Sequence, residues 1–318
     1  MDLNDIISVF SDHTFITVGL GAAVFGAISG ILGTFAVLRK QSLIGDAISH
    51  ATLPGICIMF LITGTKSTSL FLVGAFISGI IASCIIMYMT NISKIKYDSA
   101  LGMILSVFFG LGLVLLTYIQ KTPNANQAGL DKFLFGQAST LLKVDVKVMS
   151  VALVFSLLLV LLFWKQFKLI CFNSEFAGSL GLPVKKLDFL LTCLIVLAIV
   201  MGLQTVGVIL MSAMLIAPAV SARQWTDKLY MMIIISAIFG AISGITGTMI
   251  SFFIPKMPTG PIIVVVMSTI TVVSILFAPN RGVVWKQIRD MRNNERINND
   301  IQTLLIREEE NLNGVTSN

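Results

Sequence analysis

Long apolar runs separated by short polar connectors make up most of this chain. Nine such runs, over 14–38, 42–63, 67–90, 98–119, 144–164, 187–204, 206–222, 229–254 and 260–279, reach or approach the roughly 20 residues a helix needs to cross a bilayer. The pattern predicts an all-α integral membrane protein, a polytopic bundle of about eight or nine transmembrane helices. The sixth and seventh runs are short and meet at Gln204-Thr205, so this stretch reads either as two spans or as broken helices.

Composition removes the soluble alternative. Of 318 residues, 56% are hydrophobic and 12% charged, against about 25% charged in soluble domains. The net charge of +6 does not point to nucleic acid, because the basic residues lie between apolar runs and form no patch with interleaved aromatics. They read instead as topology determinants. Alternate connectors give one side Arg39, Lys40, Lys94, Lys96, Lys165, Lys168, Lys185, Lys186, Arg223 and Lys228, and the other side Lys66, Lys121, Lys132, Lys143, Lys147 and Lys256. Positive residues favour the cytoplasm. The expected layout is therefore an extracytoplasmic segment 1–13, a transmembrane domain 14–279 and a polar cytoplasmic tail 280–318, with the first span retained. The tail reads as a short amphipathic helix followed by disorder. Cys57, Cys84, Cys171 and Cys193 show no CxxC pair and no disulfide-like spacing.

One segment occurs nearly twice. Phe25-Gly-Ala-Ile-Ser-Gly-Ile-Leu-Gly-Thr34 is echoed by Phe239-Gly-Ala-Ile-Ser-Gly-Ile-Thr-Gly-Thr248. Both copies contain GxxxG, where missing side chains let helices approach closely. Two helices that each need a small packing face explain the echo without an internal repeat.

Of sixteen acidic residues, fifteen fall in predicted connectors, helix ends or tails. The exception is Asp46, and His50, one of only two histidines, follows four residues later. That spacing stacks both side chains on one helical face. Carboxylate oxygen and imidazole nitrogen both ligate Mn, Fe(II) or Zn, and ionisable groups inside a membrane are costly enough to suggest function. Pro54 adds a clue, since it removes the helical partner of the His50 carbonyl. An Asp–His hydrogen bond bracing two helices accounts for the residues equally well. If a metal is held, one chain supplies too few ligands, and two such helices across a two-fold axis would supply two carboxylates and two imidazoles. A second region, Asn173 to Lys186, reads as a short small-residue helix outside the membrane, suited to docking in a partner's groove, or as an ordinary connector. There is no GxxxxGK[ST]; Gly64-Thr-Lys-Ser-Thr68 lacks the glycine before its lysine, so ATP phosphates have no P-loop here.

Taken together, Val37-Leu-Arg-Lys40, Gly45-Asp-Ala-Ile-Ser-His-Ala51 with Leu53-Pro-Gly55, the loop Glu175-x-Ala-x-Ser-Leu-Gly181, the run Val206 to Ala222, Pro258-Thr-Gly-Pro-Ile-Ile-Val264 and Phe277-Ala-Pro-Asn-Arg-Gly282 resemble the permease subunits of binding-protein-dependent ABC importers for manganese, zinc and iron. The resemblance implies a transport subunit in the inner or plasma membrane of a prokaryote, not an enzyme, working by alternating access. It implies a partner permease (a second copy or a paralogue), a cytoplasmic ATPase dimer and an extracytoplasmic metal-binding protein, with no permanently bound cofactor and a divalent metal as cargo. It places Asp46 and His50 on the metal path, and Glu175, Ala177, Gly178 and Gly181 at the ATPase contact, in a cytoplasmic coupling loop at about 165–186. The GDAISHA form and the scarcity of histidine favour Mn or Fe over Zn. A secondary transporter driven by an ion gradient is the alternative, and it would want polar groups in several helices. An intramembrane metalloprotease would want HExxH, which is absent.

Overall fold

A computed structural model describes residues 13–64, 67–93, 95–121, 136, 141–254, 257–279 and 281–295. The described residues are helices and connectors, with no strand among them. In chain order the helices are α1 (His13–Leu38), α2 (Ile44–Ala51), α3 (Leu53–Thr63), α4 (Thr68–Ile92), α5 (Tyr97–Lys121), α6 (Lys143–Leu162), α7 (Trp164–Phe172), α8 (Ser174–Ser179), α9 (Val184–Thr205), α10 (Met211–Trp225), α11 (Leu229–Phe253) and α12 (Thr259–Phe277). Among the described residues, eight stretches are long and apolar enough to cross a membrane, with α2 and α3 together forming one of them. The all-α polytopic expectation therefore holds.

The region expected to break does so, at a shifted position. Helix α9 is a full-length span of 22 residues, and the interruption falls at 206–210, where Gly207 has φ +87°. The 15-residue α10 then begins at Met211, five residues later than the pattern suggests. It is too short to count as a span by length, but it is buried along Met211, Met214, Leu215, Pro218 and Ala219. Its apolar pattern reflects enclosure by α1, α2, α11 and α12, not contact with lipid.

Connectors sort onto two faces. On one, the end of α1 at Leu38–Gln41 meets the end of α4 at Met87 and Asn91 and the loop and helix start at Cys171–Glu175 and Asp188. Lys165 and Lys168 lie there beside Asp227 and Lys228, and Arg281 bonds Asp227 at 2.6 Å. On the other face Phe15 meets Phe252 with ring centroids 5.8 Å apart, close to Met257 and Thr259, and Thr205 meets Gly260. The start of α1 and the end of α12 consequently lie on opposite faces. Residues 283–295 are helical; residues 280 and 296–318 of the expected tail, like segment 1–12, lie outside the described residues.

The two echoed segments pack against each other, antiparallel. A Cβ on Gly26 would lie 2.1 Å from the Gly240 carbonyl oxygen, one on Gly30 2.4 Å from the Ser236 oxygen, and one on Gly244 2.5 Å from the Ala22 oxygen. Real Cβ atoms do not approach that closely, so only glycine allows this backbone contact. Ser236 Oγ donates to the Gly30 carbonyl at 2.7 Å. Thr34 and Thr248, which occupy equivalent places in the echo, each return their hydroxyl to the carbonyl four residues back, at 2.9 and 2.8 Å.

Gly26→Leu is expected to push α1 off α11 and cost on the order of 3 kcal/mol or more. In detergent this appears as a lowered melting temperature and lost monodispersity. Gly19→Ala, where nothing lies within 4 Å of the added carbon, is expected to leave melting unchanged or slightly raised.

Candidate functional site

The first turn after the end of α1 is unusual backbone. Lys40 has φ +58°, a left-handed conformation for a residue with a side chain, and it turns the chain so that α2 starts at Ile44. Helix α2 lies against α5, α10, α4 and α9. Gly45 seats it on α10, since a Cβ there would lie 3.2 Å from Ser212 Cα and 3.1 Å from the Leu215 side chain. Helix α2 ends at Ala51, and Pro54 stands in the first turn of α3, where its missing N–H is no loss. The Thr52 N–H reaches the carbonyls of Ile48, Ser49 and His50, so the His50 oxygen that Pro54 leaves without a helical partner faces a donor. The Thr52 and Ser78 hydroxyls serve the Ser49 and Ala51 carbonyls, both at 2.6 Å.

Asp46 and His50 are brought together as their spacing implies. His50 Nε2 lies 3.5 Å from Asp46 Oδ1, longer than the 2.7–2.9 Å of a charge-assisted hydrogen bond. Neither group is locked to the other, and both keep lone pairs available for a cation between or beside them. The His50 side chain is 17% exposed and that of Asp46 38%, so the pair sits at a lip with the imidazole inward. The Phe109 ring on α5 meets the imidazole edge-on at 4.6 Å, fixing its plane. Nδ1 of His50 is buried with no hydrogen-bond partner, a costly condition for a polar atom with only structural work to do. No group of three or more His, Cys, Asp or Glu exists among the described residues. At this site one chain brings together two side chains able to ligate a metal, Asp46 and His50.

The second predicted region forms α8, a six-residue helix. Asn173 caps its start, accepting from the Phe176 N–H at 2.9 Å. Its end is a Schellman motif: Leu182 N–H bonds the Ala177 carbonyl, Gly181 N–H bonds that of Gly178, and Gly181 takes φ +78°. Glu175 and Gly178 are exposed, whereas Ala177 is fully buried and faces its own bundle. The outward surface also carries Phe176 and Leu180, 51% and 59% exposed. Those two side chains give this face its apolar character, and the small-residue spacing did not single them out.

The structure joins the two regions through an arginine and an aspartate that the sequence alone does not pair. Arg39, last before the Lys40 turn, donates from Nη2 to Asp188, the fifth residue of α9. The Arg39 side chain is 8% exposed and that of Asp188 26%. Burial pulls the Arg39 pKa below its ordinary value, with Cys171 and Tyr97 opposing, and burial pushes the neighbouring Cys171 thiol up to about 11. The signal available in the sequence was an arginine five residues before Ile44 and an aspartate opening an apolar run.

These features together define a class: a multi-pass membrane transport subunit with one half-buried Asp–His pair and one short helix, α8, outside the apolar spans. The chain belongs to the ABC 3 transport family, whose model matches residues 11–278. It is 48% identical over 290 residues to the zinc transport system membrane protein TroC of Treponema pallidum, covering 91% of this chain and 97% of TroC. It is also 48% identical over 289 residues to the manganese transport system membrane protein MntC of Bacillus subtilis, covering 91% of this chain and 66% of MntC. Among solved structures, PsaBC from Streptococcus pneumoniae in complex with Fab is similar at TM-score 0.76 and 33% identity, over 88% of this chain and 98% of that one. The chain is a transport subunit of a prokaryotic membrane, not an enzyme.

Arg39→Gln is expected to leave Asp188 half-buried and unpaired and to cost about 3 kcal/mol, read as lowered melting in detergent. Replacing both, Arg39→Met with Asp188→Leu, is expected to recover most of that loss. Equal destabilisation by the single and double variants would show that the pair is not coupled.

Proposed function

We propose that this chain is the pore-forming permease of an ATP-driven importer for a divalent transition metal, with Mn or Fe ahead of Zn. The observation that carries the reading is the Asp46–His50 pair, close enough to share a cation yet not bonded tightly to each other, with a buried imidazole nitrogen lacking a partner. A hard carboxylate beside one imidazole, with no thiolate, suits Mn or Fe(II) more than Zn. Overall identity does not choose between metals, since the relatives named for zinc and manganese are equally similar.

Orientation follows from charge. The face holding Arg39, Lys40, Lys165, Lys168, Lys185, Arg223, Lys228 and Arg281 is read as cytoplasmic, which puts the start of α1 outside. Helix α8 then projects to where an ATPase dimer docks, with Glu175, Phe176, Gly178 and Leu180 outward. Ala177 seats the helix, and Gly181 closes it. Motion of α8 reaches the metal pair through the start of α9, Asp188, Arg39 and the Lys40 turn that leads into α2. A binding protein would deliver metal at the opposite face.

A second permease, self or paralogue, completes the ligand set. Support comes from α5, which carries the Phe109 that touches His50. Its Gly102 and Gly110 have nothing within 4 Å of an added Cβ, and Ser106 between them is exposed. Small residues spaced by four on an open face beside the pair suit close helix contact in a membrane. Among the described residues, acidic groups on the other spans stand within the first two helical turns, namely Asp98, Asp145 and Asp188. That distribution supports ATP-driven transport over an ion-coupled carrier, which would want polar groups at depth.

The test is accumulation of Mn, Fe(II) and Zn by cells expressing the chain with its ATPase and binding protein. Asp46→Asn and His50→Ala are each expected to lower uptake by at least about tenfold at equal membrane abundance. Normal uptake by both variants would make the pair a structural brace. Glu175→Ala with Leu180→Asp is expected to reduce co-purification of the ATPase while leaving melting unchanged; intact association would remove α8 from the contact.

A further inference from the structure

A groove of about 1140 Å³ runs from the end of α6 across α7 to the start of α11, away from the Asp46–His50 pair and bordered on the α8 side by Phe172. Its trough is apolar and faces the membrane, with Leu161 63% exposed and Ile234 51% exposed. Its rim is cationic: Lys165 and Lys168 from α7, three apart on one helical face, and Lys228 from the start of α11. None of the three makes an ion pair among the described residues, whereas Asp227 beside them is already held by Arg281 at 2.6 Å, with Arg223 at 3.9 Å. Trp164 and Tyr230 line the same groove at the junction of trough and rim, the level where such rings sit at a membrane surface.

We infer that this groove binds an anionic phospholipid, its acyl chain along Leu161 and Ile234 and its phosphate among the three lysines. The two-part character decides the chemistry. A free phosphate has no use for an apolar trough, and a zwitterionic lipid brings its own ammonium to a rim already carrying three. A second copy of the chain fits poorly, because a two-fold contact through this surface sets lysines against the same lysines. Basic pockets between transmembrane helices recognise anionic headgroups through this combination of charge and apolar wall.

The experiment is native mass spectrometry of the full-length chain in micelles containing equimolar phosphatidylglycerol and phosphatidylcholine. The wild type is expected to retain phosphatidylglycerol preferentially. The preference should fall by about fivefold for each of Lys165→Gln, Lys168→Gln and Lys228→Gln. Leu161→Trp, which fills the trough without changing charge, is expected to lower retention of the lipid while the melting temperature holds. Equal retention of the two lipids, or a triple lysine variant that keeps the preference, overturns the inference. So does disulfide formation between copies carrying Ile234→Cys in membranes, which would give the groove to a chain–chain interface.

Discussion

The backbone contact between α1 and α11 is the constraint on which the rest of the bundle depends. In a bilayer, burying apolar side chains between helices gains little, because the lipid tails are equally apolar; association rests on close packing and on hydrogen bonds. Glycines at 26, 30, 240 and 244 let two long helices touch carbonyl to Cα. With α1 fixed, Gly33 admits the Leu215 carbonyl and so sets α10; Gly45 seats α2 on that same turn of α10; Gly55 and Gly74 bring α3 against α4. The Asp46–His50 pair, the proposed metal site, stands at the third step of this series. Its position is inherited from contacts that carry no chemistry.

The same solvent governs how the polar side chains are disposed. Hydroxyls buried in the spans largely satisfy themselves by bonding the carbonyl one turn back, as Ser83, Thr192 and Thr248 do. Where a hydroxyl crosses between helices it marks a place that must be held. Ser236 to Gly30 clamps the α1–α11 contact, and Ser78 to Ala51 clamps the break between α2 and α3. That break leaves His50 less than one turn from a helix end.

Most of the architecture was legible because hydrophobic run length is a strong signal when backbone groups must satisfy themselves. The Asp46–His50 pair was legible from a spacing of four. The exception, α10, shows the limit. Enclosure by protein and enclosure by lipid select the same residues, so the run from Val206 could not reveal that its first five residues are a turn. Arg39 and Asp188 escaped for another reason. Their pairing spans 149 positions, and each alone looks like an ordinary charge at a membrane edge. Phe176 and Leu180 escaped because a six-residue helix is too short to show which way its apolar residues face.

On the proposed reading, an incomplete site is what transport requires. A single chain offering three or four converging ligands would hold a transition metal as a structural ion; a carrier needs binding favourable enough to enter and weak enough to leave. Two ligands per chain, loosely spaced at 3.5 Å, make affinity depend on how closely two permeases bring their α2 helices together. That distance is a conformational variable, and the Arg39–Asp188 link ties the base of α2 to the element that carries α8. Occupancy of the metal path and the position of the docking helix are then two views of one rigid-body movement, with no need for a separate gate at the site.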